Sequence, residues 1–188
     1  MSKADDSPVN SSNTGFVKIK KLPSQGMISL RGNLSSDIVR QSVYSAVSLE
    51  LPDIRKIKVG AICAICWMAP DELLILCPYA EVASRVTRMQ SDLKSVHSFV
   101  VDVSDARVMF CISGVRSREV LAKLCPVDLT QSEFGVGDFR LTRLAQVPAA
   151  FWMQNAEIFN ILVSRSVARY GFNLLKSAAQ KGSEVGVF

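Results

Sequence analysis

The stretch Trp67-Met68-Ala69-Pro70-Asp71-Glu72-Leu73-Leu74-Ile75-Leu76 decides how the fold is read. Pro70 and Asp71 are residues that a tight chain reversal favours. They separate two apolar runs, Ile57–Met68 and Leu73–Cys77, which read as a strand pair. Further along, Trp152-Met153-Gln154-Asn155-Ala156-Glu157-Ile158-Phe159-Asn160-Ile161 repeats the same order: a Trp-Met strand end, a short polar turn with Glu, and an apolar strand. A helix pattern follows each, over Tyr79–Val96 and Val167–Ala179. Upstream of each lies a strand, a glycine and a helix: Met27–Arg31, Gly32 and Asp37–Leu49 in the first half, then Arg107–Ile112, Gly114 and Arg116–Leu124 in the second. Asp138–Leu144 with Val147–Met153 reads as a further strand pair. The expected fold is therefore α+β: two split-βαβ, ferredoxin-like plait units related by an internal repeat. The first unit, β-α-β-β-α-β, spans 26–104 and the second, β-α-β-β-α, spans 105–181. Residues 1–25 are expected to form a flexible N-terminal segment and 182–188 a flexible tail.

The chain has 188 residues, 48% of them hydrophobic and 21% charged, as in an ordinary globular protein. No run approaches the roughly 18 apolar residues that a membrane span needs. The positive mean hydropathy, +0.22, arises from many short apolar runs and points to apolar surface that meets a partner. Met1–Gly15 is rich in Ser, Asn and Asp and has no apolar signal core, so the expected compartment is the cytoplasm. Five cysteines, an odd number lying in apolar runs or beside a helix end, fit reduced thiols. The net charge of +5 is scattered, and its only dense cluster is Lys18, Lys20 and Lys21. Without a basic face, and without aromatics on a central strand such as Leu73–Cys77, a plait-type nucleic-acid binder is the weaker reading.

The residues that carry chemistry elsewhere are poorly placed here. Cys63 and Cys66 have CxxC spacing, but on a strand residues three apart face opposite ways, so they read as core thiols. His97 is the only histidine, which removes support for a triad or a histidine metal site. Gly135-Val136-Gly137 precedes a strand and so lacks the context of a dinucleotide loop. No catalytic, cofactor-binding or metal residues are assigned. Trp67, Met68, Trp152 and Met153, at strand ends, are the expected interface anchors.

Beyond the repeat, Val101-Asp102-Val103-Ser104-Asp105-Ala106-Arg107-Val108 and Ile112-Ser113-Gly114-Val115-Arg116-Ser117 resemble the folate-binding fold of the glycine-cleavage T-protein superfamily. Within it, the chain is similar to the gamma subunits of heterotetrameric sarcosine oxidases. The similarity is carried by Trp67–Leu74, by Cys125-Pro126-Val127-Asp128-Leu129, by Thr142-Arg143-Leu144 and by Val163-Ser164-Arg165-Ser166, in that order, over roughly 27–180. The resemblance implies a non-catalytic subunit that binds no cofactor itself and assembles with alpha, beta and delta subunits. FAD, FMN, NAD, tetrahydrofolate and zinc are expected on those partners. The complex would oxidise sarcosine to glycine, transfer the one-carbon unit to tetrahydrofolate and form hydrogen peroxide. Folate-active relatives carry an acidic residue just before the strand that aligns with Phe151–Met153, where this chain has Ala149 and Ala150. A free-standing folate-binding, aminomethyltransferase-like protein would therefore lack its acid or base.

Overall fold

A computed structural model describes residues 15–188. In chain order the elements are β1 (Lys18–Lys21), β2 (Gly26–Gly32), α1 (Asp37–Val47), β3 (Ile57–Val59), β4 (Ala64–Ala69), β5 (Glu72–Cys77) and α2 (Val82–Asp92). They continue with β6 (Ser98–Asp102), β7 (Arg107–Ser113), α3 (Ser117–Ala122), β8 (Phe139–Leu144), β9 (Val147–Asn155), β10 (Ile158–Ser164) and α4 (Ala168–Ala178). Single 3-10 turns at Tyr79–Glu81 and Arg165–Val167 lead into α2 and α4. The fold is α+β, with two five-stranded antiparallel sheets ordered β3-β4-β5-β2-β6 and β1-β7-β10-β9-β8.

Side chains alternate between the two faces of each sheet, as the two-residue period of a strand requires. There is a register shift beside the β4–β5 turn and another beside the β9–β10 turn. In the first sheet Ile28, Leu30, Ile65, Leu73 and Ile75 pack against Val39 and Val43 of α1 and Met89 of α2. Their neighbours Met27, Cys66, Leu74 and Leu76 face the other way. There they share one apolar layer with Met109, Ala150, Trp152 and Leu162 of the second sheet. The far face of the second sheet carries Phe110, Phe151, Phe159 and Ile161 against Leu121 of α3 and Leu175 of α4. The layers thus run helices, sheet, sheet, helices, and the two halves share a core. At one edge the sheets are tied directly. The Ile57 amide donates to the Gly137 carbonyl (3.0 Å), and the Phe139 amide to that of Arg55 (2.8 Å).

The structure corrects the sequence reading in four places. The segment read as a flexible lead-in contributes β1, which pairs with β7 from Lys18↔Ser113 to Lys21↔Phe110. Ile19 is fully buried there, so a short apolar-polar alternation among lysines was enough to form an edge strand. Residues 1–14 of that segment lie outside the described residues. The single strand expected over Ile57–Met68 is a hairpin of β3 and β4, with the Gly60 amide donating to the Cys63 carbonyl (2.8 Å). The tail read as flexible after Gly182 is held against α3 by hydrogen bonds to Glu119 and Lys123.

The fourth correction concerns the two tryptophans. Trp67 pairs with Leu73 and packs on the helix side of its sheet, whereas Trp152 pairs with Asn160 and faces the inter-sheet layer. The sequence alignment of Trp67 with Trp152 is one residue out of register, and on a strand one residue reverses the face. Cys66, the neighbour of Trp67, lies with Trp152 in the inter-sheet layer.

Candidate functional site

Of the expected anchors, Met68, Trp152 and Met153 are buried, each at 6% exposure or less. Met68 and Trp152 fill the inter-sheet layer, where Trp152 stacks on Phe139 with ring centres 6.2 Å apart. Met153 lies in the outer core with its sulfur 3.2 Å from the Arg118 guanidinium. Trp67 is half-buried and alone of the four lines both of two clefts. One cleft, about 870 Å³, runs between α1 and the chain at 50–54, with Tyr44, Leu51 and Ile54 around the indole. The other, about 570 Å³, lies between Arg55 on one side and β8 and the loop after α3 on the other. Arg140, Leu141, Asp128 and Glu133 line it, and Met68 reaches it from the core. Tyr44, Ile54 and Leu141 are all more than half exposed, so this side of the molecule presents apolar surface that the fold itself does not cover.

Three local features hold the cleft open. Arg55 adopts a left-handed backbone (φ 61°), which costs a non-glycine residue of order 1 kcal/mol. Its carbonyl is fixed there by the Phe139 amide and by the Arg140 guanidinium at 3.4 Å. Next to it, Lys56 Nζ donates to Asp138 Oδ1 at 2.8 Å, joining the two sheets. Burial acts to raise the Asp138 pKa, but Lys56, the Gly135 amide and Arg140 outweigh it, and the carboxyl is held below its usual range. The third feature is Arg118 on α3, whose guanidinium is buried. It donates to the carbonyls of Leu129 and Phe134, the latter at 2.9 Å, and lies over the Phe159 ring. It therefore fixes the loop that walls the second cleft.

Arg118 and its neighbour Glu119 are the only buried charged side chains among the described residues, and sequence reading missed both. The available signal was two adjacent charges inside a short segment, Ser117–Leu121, whose other residues suit a buried helix.

The nucleophile and metal candidates stay apart. Cys63 faces the α1/α2 core and Cys66 the inter-sheet layer, on opposite faces as the spacing required. Burial pushes the Cys77 thiol up to about 11 and that of Cys125 to about 12, and raises Cys66 and Cys111 as well. These groups are protonated at neutral pH and poor nucleophiles. His97 is exposed in the bend before β6. Among the described residues, no group of three or more His, Cys, Asp or Glu is placed to hold a metal ion. Ala149 and Ala150 sit buried on opposite faces of β9. No helix among the described residues is long and apolar enough to cross a membrane.

Residues 31–181 match the profile of the sarcosine oxidase, gamma subunit family. The chain belongs to the sarcosine oxidase gamma subunit family. A member from Corynebacterium sp. (strain P-1), sarcosine oxidase subunit gamma, is 30% identical over 73% of this chain and 68% of its own length. In three dimensions the chain is similar to one in the heterotetrameric sarcosine oxidase from Corynebacterium sp. U-96, determined with pyrrole 2-carboxylate. That match has a TM-score of 0.79 at 25% identity and covers 87% of this chain and 83% of that one. The glycine cleavage system aminomethyltransferase T from Bartonella henselae shares the fold, with a TM-score of 0.63 at 12% identity. It covers 90% of this chain and 48% of that one. The family resemblance read from short motifs is thus matched along most of the chain.

Proposed function

We propose that this chain is the gamma subunit of a heterotetrameric sarcosine oxidase, serving assembly and carrying no active site of its own. The observation that carries this reading is the family match over 31–181, joined to the 0.79 TM-score with a chain of such a complex. The partners would be the alpha, beta and delta subunits, with FAD, FMN, NAD, tetrahydrofolate and zinc bound there. Five free cysteines among the described residues suit the reducing cytoplasm as its place of work. The contact would form around Trp67, supported by its half-burial between two clefts and by the exposed Tyr44, Ile54 and Leu141 nearby. A half-buried tryptophan ringed by apolar and arginine side chains has the make-up of a binding hot spot.

We also infer that the two halves are one plait unit used twice. Each sheet is built in the same succession, β3-β4-β5-β2-β6 against β8-β9-β10-β7-β1. The Gly32 amide donates to the Asp71 carbonyl at 2.9 Å, and the Gly114 amide to that of Glu157 at 3.0 Å. The 3-10 turns opened by Tyr79 and Arg165 both lead to a helix of 11 residues, whose buried Met89 and Leu175 occupy matching places.

The test is co-expression of the full chain with the flavin-bearing subunits encoded in the same genome. The expected result is a stable complex that co-purifies with flavin. Trp67→Ala should weaken the complex by roughly thirtyfold or more, the size of a hot-spot loss of at least about 2 kcal/mol, with little change in the melting temperature of the chain. A monodisperse chain that ignores those subunits overturns the assembly reading. An unchanged affinity of Trp67→Ala overturns the placement of the contact alone.

A further inference from the structure

The helix α3 has six residues, too short to persist without outside support. It nonetheless carries Glu119 at 1% exposure. An ionised carboxylate is tolerated there only if donors replace water. Lys123 Nζ stands 3.6 Å from one oxygen. The other donors come from the far end of the chain: the Val185 amide binds Oε1, and the Gly186 amide binds Oε2 at 3.3 Å. Lys123 reaches the same segment, donating to the carbonyls of Ser183 (2.5 Å) and Ala178 (3.0 Å). The ammonium also lies 4.8 Å from the centre of the Phe16 ring, at the entry to β1. The Phe16 amide donates in turn to the Ala179 carbonyl at 3.0 Å. One knot therefore joins α3, the end of α4, the strand that completes the second sheet, and residues 183–186.

The residue beside Glu119 faces the opposite task. Among the described residues Arg118 has no carboxylate partner, and it instead holds the Leu129 and Phe134 carbonyls of the loop at the Trp67 cleft. Both charges ride on the same turn of α3, so a shift of that helix moves the loop.

We infer that Ser183–Gly186 is a strap: it supplies amide donors to the buried Glu119 carboxylate, fixes α3, and through Arg118 sets the cleft wall. The segment lies beyond the family match and its role does not depend on the assembly reading.

The experiment is hydrogen exchange, read by mass spectrometry on the full chain, for the parent, Glu119→Gln, Val185→Pro and the double variant. Gln keeps the shape and removes the charge, while Pro removes the first amide. The strap predicts that each single variant speeds exchange in 117–136 by roughly tenfold, the loss of one charge-assisted hydrogen bond. Exchange over 27–77 should be unchanged, and the double variant should be no faster than the faster single one. Gly186→Ala, at a backbone φ of 72° that disfavours a side chain, should give the same pattern more weakly. Acceleration confined to 182–188 overturns the strap, as do effects that multiply in the double variant. A uniform acceleration that includes 27–77 overturns it too, since the coupling would then be global unfolding.

Discussion

The two helix layers of this protein are held by different physics. On the first sheet, α1 and α2 are held by aliphatic burial: Val39, Val43, Ala46 and Met89 against Ile28, Leu30, Ile65 and Ile75. On the second, the core is aromatic, with Phe110, Phe134, Phe151, Phe159 and Phe172. Its helix α3 is half the length of α1 and brings two buried charges with it. An 11-residue amphipathic helix buries a continuous stripe and needs no ionic help. A six-residue helix buries too little apolar area. Its place is fixed instead by hydrogen bonds that recruit a distant loop and the C-terminal segment. The shorter element is the more connected one, which makes the second half the more sensitive to single polar changes.

The comparison can be broken most sharply in the aromatic core. Phe151→Ala should cost about 3–5 kcal/mol in urea unfolding, while Ile65→Val, on β4 of the first sheet, should cost about 0.5–1.5 kcal/mol. Equal losses would show that the aromatic cluster is not the stiffer core. Next in size is Arg118→Met, which keeps the volume but leaves the Leu129 and Phe134 carbonyls without their donor. A loss of about 2 kcal/mol is expected, together with faster proteolysis between residues 126 and 136.

Acid should separate the halves further. The largest influence on the Glu119 carboxyl, burial, raises its pKa. The Val185 and Gly186 amides and Lys123 outweigh it, so the folded value lies below the unfolded value of about 4.3. Its contribution is therefore complete above the unfolded value and disappears as pH falls through the depressed folded one. On titration below pH 5, Glu119→Gln should flatten the loss of stability seen in the parent; a superimposable profile would remove Glu119 from the account. The smallest effect is expected at the surface. Lys56→Met breaks the ion pair with Asp138 between the sheets and should change stability by at most about 1 kcal/mol, because the lysine is 46% exposed.

Much of the fold was legible in the residues. The turn at Pro70-Asp71, the nearly continuous apolar runs of β5 and β10, and the periodicity of α1, α2 and α4 are local signals, and the structure has those elements where the patterns put them. The opposed faces of Cys63 and Cys66 follow from strand geometry alone. The site was less legible. Three of the four side chains chosen as interface anchors are buried, because an aromatic residue at a strand end looks the same in sequence whichever face it takes. The alignment that placed Trp67 opposite Trp152 counted identities, and a one-residue slip between hairpins is invisible until pairing fixes the register.

By itself, the sequence determined the α+β class, the order of most of the elements and the gamma-subunit resemblance, all of which rest on neighbours within a few residues of one another. Only the tertiary structure decided which sheet each edge strand joined, which tryptophan stayed at the surface and where the charged pair of α3 found its partners. β1 precedes the first sheet yet completes the second, and Glu119 is satisfied by amides near the end of the chain. The physical reason is that a buried polar group must be satisfied wherever a donor can reach it, and closing a long loop adds only slowly to the entropic cost.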